Sequence, residues 1–129
     1  MRPEFFVDRS LGRHGVSAVL IAAGWTVTTH FEVYGDRDER VSDVEWLEHC
    51  AAHELVVLSK DRRLRYRPDE IGAIRRLRIR AFVLARGSLT GVIQAQRFLD
   101  NEAEMRRHLI APGPCVCVVY ASGVERVFP

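Results

Sequence analysis

Apolar residues along this chain fall in short runs separated by charged stretches, and their spacing alternates between a strand-like and a helix-like period. Glu4 to Val7 reads as a short buried strand, with Asp8 at its C-terminal end. Ser10 is placed to cap a helix over roughly residues 11–23 that carries Leu11, Val16, Val19, Leu20 and Ala23 on one face. Gly24 then ends it as a left-handed cap. Trp25 to His30 is β-branched and aromatic, hence a strand, and residues 35–40 form a polar loop. Ser42 and Glu45 make an S-x-x-E capping box, with Val41 and Trp46 at the two hydrophobic-staple positions, so a helix starts there and runs to about His53.

Leu55-Val56-Val57-Leu58 is a continuous apolar run of the kind buried on both faces, and it ends at Ser59-Lys60-Asp61. Pro68, Asp69 and Glu70 set up the next helix start, with Ile71, Ile74 and Leu77 facing inward. Ala81 to Leu84 is another buried strand. Ser88 or Thr90 then caps a longer helix to about Leu109, with Val92, Ile93, Phe98, Leu99 and Met105 as its apolar positions. Pro112-Gly113-Pro114 breaks it, and Cys115 to Tyr120 and Val124 to Phe128 form a closing hairpin around Ser122-Gly123.

Strands alternating with helices, then a hairpin, predict a three-layer α/β fold with a mainly parallel sheet. No repeat, low-complexity tract or Gly/Ser/Pro-rich linker divides the chain, so residues 1–129 read as one domain. Right-handed crossovers bring the carboxyl ends of the strands to one edge, where ligands of such sheets bind.

Composition narrows the functional classes. Apolar residues make up 47% and charged residues 28%, an ordinary balance for a globular protein, and no apolar run approaches the roughly 18 residues of a membrane span. Three cysteines (Cys50, Cys115, Cys117) cannot all pair within the chain, and the short N-terminal apolar patch is no signal sequence; both point to a reducing cytoplasm. The net charge of +2 is unevenly spread. Residues 1–59 carry 5 basic and 10 acidic groups, whereas residues 60–80 carry 9 basic and 3 acidic. A basic block beside an acidic one suits phosphate binding near a metal; a solvated arginine-rich helix is the plainer alternative.

Three acids draw attention by position. Asp8 follows the first strand, Asp61 the third, and Asp43 lies in the first turn of the Ser42-capped helix. Oxygen donors of this kind suit a hard cation such as Mg²⁺, which keeps waters and phosphate oxygens as further ligands. Each acid also has a plain structural reading: Asp8 as a turn former, Asp43 as an acid favoured by the helix dipole, Asp61 as the partner of Lys60 or Arg62. Glu45, in turn, is the capping-box partner of Ser42 before it is a metal ligand.

The segments Phe6-Val7-Asp8-Arg9-Ser10-Leu11-Gly12, Ser42-Asp43-Val44-Glu45-Trp46 and Val57-Leu58-Ser59-Lys60-Asp61 resemble those of PIN-like domains, in particular the VapC-type toxin ribonuclease branch. The likeness continues through Arg80 to Leu84, the Leu89-Thr90 helix start and the hairpin. It implies a Rossmann-like sheet, Mg²⁺ or Mn²⁺, cleavage of single-stranded RNA, a cognate antitoxin and, in some members, a homodimer. Carried over by position, Asp8, Asp43 and Asp61 match the family's metal-binding acids, with Glu45 as a further candidate. Ser59 matches an orienting hydroxyl. Arg62 and Arg63 stand where many PIN domains place another acid, a departure that bears on a second metal.

The run Lys60-Asp61-Arg62-Arg63-Leu64-Arg65-Tyr66-Arg67 follows a candidate ligand directly. Lys60, Arg62, Arg63 and Arg65 are suited to RNA phosphates and Tyr66 to stacking on an unpaired base. Arg75, Arg76, Arg78 and Arg80 read as a solvated face. His49, Cys50, His53, Cys115 and Cys117 are of zinc-ligand type, but their spacing matches no closed zinc motif. Two other classes compete with a nuclease: a PIN-like module that binds RNA or protein without turnover, and a receiver-type phospho-acceptor domain. The second lacks the expected adjacent N-terminal acids.

Overall fold

The computed structural model describes residues 2–129. Six strands form one sheet in the order β2-β1-β3-β4-β5-β6: β1 (Glu4–Val7), β2 (Thr26–Thr29), β3 (Val56–Ser59), β4 (Arg80–Leu84), β5 (Cys115–Val119) and β6 (Val124–Phe128). The first five run parallel, and β6 returns antiparallel beside β5 as the predicted hairpin. Six α-helices cover the sheet: α1 (Gly15–Ala22), α2 (His30–Tyr34), α3 (Asp43–Ala52), α4 (Pro68–Leu77), α5 (Gly91–Asp100) and α6 (Glu102–His108). None is long and apolar enough to cross a membrane.

Strand alternation divides the core in two. Phe5, Val7, Val56, Leu58, Phe82, Leu84, Cys115 and Cys117 face α1, α5 and α6. Phe6, Val57, Ala81, Val83 and Val116 face the opposite side, against α3 and α4. Phe6 is fully buried there and stacks on Trp46, with ring centroids 5.5 Å apart. The α/β architecture read from the pattern is therefore the one observed, with helices on both faces of a sheet whose inner strands are apolar on both sides.

Local departures have identifiable causes. The helix expected from residue 11 is a 3-10 turn, Arg9–Leu11, followed by a break and then α1. Ser10 does not cap α1, because its backbone N–H and hydroxyl both donate to Asp8. At the other end of α1, Gly24 (φ +95°) closes the helix as expected: its N–H reaches Ile21 O at 2.9 Å, and Trp25 N–H reaches Leu20 O at 3.0 Å, a Schellman arrangement. The strand expected through His30 stops at Thr29, where α2 begins. Thr29 accepts from Glu32 N–H at 3.0 Å while Glu32 accepts from Thr29 N–H at 3.2 Å, a complete capping box. The polar loop at 35–40 winds as a 3-10 helix, Gly35–Arg40.

At Ser42 only half of the expected box forms: Ser42 accepts from Glu45 N–H at 3.1 Å, while the Glu45 carboxylate pairs with Arg37 at 3.2 Å. The long helix expected to Leu109 is two, α5 and α6, broken at Asn101. Thr90, rather than Ser88, caps α5. Asn101 is buried and spends its side chain on the hairpin, donating to Tyr120 O at 2.9 Å and accepting from Gly123 N–H at 2.8 Å.

The Thr29 cap fixes where β2 gives way to α2. Thr29→Ala should lower unfolding stability by about 1 kcal/mol, the usual worth of an N-cap, and Thr29→Ser should restore most of it. A urea denaturation series on the three proteins measures both.

Candidate metal site and basic cleft

The parallel register sets the site. Val7 pairs with Leu58, so the chain leaves β1 and β3 side by side at the carboxyl edge, and Asp8 N–H donates to Leu58 O at 3.1 Å. A network of hydroxyls ties the two exits together. Ser10 Oγ donates to Asp8 Oδ1 and accepts from Lys60 N–H at 3.0 Å. Ser59 Oγ lies 3.3 Å from Ser10 Oγ and accepts from Asp61 N–H at 2.9 Å. Asp61 Oδ1 then accepts from Arg63 N–H at 3.1 Å, which folds the loop after β3 back over the edge.

Asp8, Asp43 and Asp61 line one cavity of about 260 Å³, together with Arg9, Ser10, Trp46 and Arg67. Acids separated by 35 and 18 positions in sequence thus meet in one place. Asp8 forms the floor and is 4% exposed, while the side chains of Asp43 and Asp61 are 28% and 27% exposed at the rim. Trp46 Nε1 donates to Asp43 Oδ1 at 2.8 Å, so the indole that packs on Phe6 also orients a site carboxylate. Glu45 lies outside the cavity, turned to Arg37.

Sequence reasoning did not single out Arg67. Its Nη1 lies 2.7 Å from Asp61 Oδ2 and 3.4 Å from Asp43 Oδ2, so one nitrogen bridges two of the three carboxylates. The hydrogen bond that Arg67 donates to the Asp61 carboxylate pushes its pKa above its already high ordinary value. Glu70, read from sequence only as a first-turn acid, is a second addition. Its pKa is raised by burial first and then by its proximity to Asp43. Among the described residues, no three His, Cys, Asp or Glu side chains stand ready to grip an ion together, and the guanidinium occupies the place between two of them. The donor set nevertheless fits a hard divalent cation held partly through water: all-oxygen, anionic and anchored by hydrogen bonds.

The zinc-type residues do not form one group. Cys50 belongs to the core on one face of the sheet and Cys115 and Cys117 to the core on the other. His49 and His53 pack ring to ring, 4.4 Å between centroids.

A larger cleft of about 510 Å³ adjoins the acidic cavity, and Asp61 lines both. Lys60, Arg62, Arg63, Arg65 and Tyr66 border it. Arg62 Nη1 reaches Ala85 O at 3.3 Å, and the Arg65 guanidinium lies 4.4 Å from the Tyr66 ring centroid.

Burial drives the Asp8 carboxyl up to about 6; hydrogen bonds from Ser10 and Ser59 lower it, and the Asp61 charge raises it further. The folded protein therefore holds this proton more tightly than the unfolded chain does. The associated stability is complete below the ordinary value of 3.8 and is lost as pH rises to about 6. The shift corresponds to about 3 kcal/mol. Asp8→Asn keeps the Oδ1 acceptor without the charge, so in EDTA it should unfold at higher urea than the wild type at pH 7. The difference should shrink toward pH 4. Equal midpoints across that range would refute a charged, buried Asp8.

The sequence model of the family described as PIN like domain matches residues 3–86, which include all three cavity acids and the basic loop. The chain is 32% identical over 125 residues to a Mycobacterium tuberculosis (strain H37Rv) protein named "Putative ribonuclease VapC45", an alignment covering 96% of this chain and 91% of that protein. No solved structure matches. With the family match spanning β1 to β4 and the relative extending it through the hairpin, the chain belongs to the PIN-like domain family.

Proposed function

We propose that this protein is a metal-dependent endoribonuclease acting on single-stranded RNA, and the toxin of a toxin–antitoxin pair. The observation that carries the reading is the convergence of Asp8, Asp43 and Asp61 on one cavity that shares a wall with a basic cleft. Likeness to a relative named as a ribonuclease points the same way.

Asp8, Asp43 and Asp61 would hold Mg²⁺ or Mn²⁺, and the bound ion would lower the pKa of a water and neutralise charge developing on a phosphodiester. The protein's own part is to place the groups. Ser10 and Ser59 fix the floor carboxylate and the loop, while Trp46 fixes Asp43. Lys60, Arg62, Arg63 and Arg65 hold the backbone phosphates that flank the cavity. A phosphate chain would also offer Arg67 an anion other than Asp43 and Asp61. A protein antitoxin and a homodimer follow from the family reading, as does work in the cytoplasm by one domain spanning the chain.

One observation favours a second reading. With Arg67 between Asp43 and Asp61, and Arg62 and Arg63 after the third acid, the site is already partly charge-compensated. A module that binds RNA or a protein without turnover needs no more than that.

Cleavage separates the two. The purified protein should cut single-stranded RNA with Mn²⁺ and be silent in EDTA, and Asp8→Asn and Asp61→Asn should each reduce the rate by at least about a hundredfold. Undiminished cutting by both variants would remove these residues from the chemistry, and no cutting by the wild type would leave the binding module. A further measurement addresses Arg67. Arg67→Gln should tighten Mn²⁺ binding by on the order of threefold to tenfold in calorimetric titration, the worth of a partly exposed charge interaction. An unchanged affinity would show that the guanidinium does not compete for the cation's place.

A further inference from the structure

The cleft beside the acidic cavity has an apolar base that the basic residues of its rim do not explain. Alternate residues of β4 and β5 point to this face: Ala81, Val83 and Ala85 from one, and Val116, Val118 and Tyr120 from the other. Helices α3 and α4 cover the part of this face that holds Ala81 and Val116, both buried. Toward the carboxyl ends the cover stops. Val118 is only half-buried and Tyr120 is exposed, and together with Val83 and Val116 they line the cleft.

Two aromatic rings stand at this opening, Tyr66 at 66% and Tyr120 at 44% exposure. Tyr120 is anchored, its hydroxyl donating to Glu125 at 3.2 Å and its backbone carbonyl accepting from the buried Asn101. Lys60, Arg62, Arg63 and Arg65 complete the border, and the one acid there, Asp61, is already engaged by Arg67. Apolar floor, aromatic sides and cationic rim are the features that a stacked base joined to phosphates requires.

We propose that the Val83–Val116–Val118 floor and Tyr120, with Tyr66 on the basic rim, form a pocket for one unpaired nucleobase of the RNA, adjacent to the phosphate held at the acidic cavity. The proposal rests on the nuclease reading and deepens it. Asp61 is the shared wall, so a base seated in the cleft fixes which phosphodiester reaches the carboxylates. Tyr120 and Val118 are then specificity-determining residues, distinct from the phosphate-binding cations.

Binding is measured by fluorescence anisotropy in EDTA, where no chemistry occurs. The probes are short labelled single-stranded homopolymers of the four bases and an oligomer of equal length with one abasic ribose. Wild type should prefer one homopolymer and bind the abasic probe more weakly. Tyr120→Ala and the uncharged Val118→Gln should each weaken the preferred probe by about tenfold and leave the abasic one unchanged, whereas Tyr120→Phe should bind as wild type. Equal binding of base-bearing and abasic probes by the wild type would overturn the pocket. So would unaltered RNA binding by Tyr120→Ala, including the case in which that variant loses only a protein partner. Failure of the nuclease reading looks different: the base preference persists while Mn²⁺ produces no cleavage.

Discussion

Electrostatic repulsion among carboxylates gathered at one sheet edge is the constraint around which this molecule is arranged. Unlike charges scattered on a surface, Asp8 is removed from water, and Asp61 lies near enough to oppose its ionisation. A buried unpaired carboxylate is costly, and a protein retains one only where surrounding groups or a ligand offset it. Here the offset is assembled from neutral donors below and a cation above. Ser10, Ser59 and Trp46 supply the former; Arg67 spans Asp43 and Asp61 as the latter. The arrangement leaves a negative centre only partly offset by the guanidinium.

Most of the fold was legible because its signals are local. Strands buried on both faces announce themselves as runs such as Leu55 to Leu58, and Gly24 marks a helix end that its left-handed backbone requires. The errors share a cause: a local signal met a competing one whose outcome tertiary contacts decided. Thr29-x-x-Glu32 carries the same capping code as Ser42-x-x-Glu45, but it is embedded in a β-branched run that reads as strand. Asn101 interrupts the expected long helix because its amide is needed by the hairpin, twenty residues away in sequence. No periodicity contains that information.

The site divides the same way. Asp8 and Asp61 follow recognisable strands, and Asp43 follows a recognisable cap, so their convergence could be argued from topology. Arg67 could not be distinguished from the other arginines of its loop, since its role depends on how residues 61–67 fold back after the Asp61 turn. Glu70 had a sufficient explanation in the helix dipole, which hid its approach to Asp43. Val118 and Tyr120 looked like hairpin residues; only the extent of helical cover over β4 and β5 shows that they line a cleft.

The uneven charge of the chain acquires a spatial meaning from this geometry. The acidic first half runs straight into a basic segment, and the parallel β1–β3 pairing sets Asp8, near the start of the first, beside Lys60 and Asp61 at the start of the second. A single loop, residues 60–67, then carries a cavity carboxylate, the guanidinium that compensates it and the cations of the adjoining cleft. An anionic ligand and a cationic metal, if both bind as proposed, would act on the same short segment with opposite preferences. On the proposed nuclease reading, a polyanion would draw the loop's arginines outward and a metal would draw Asp61 inward, so each would favour the arrangement that admits the other. Coupling of this sign needs no moving domain, only side chains whose present partners are one another.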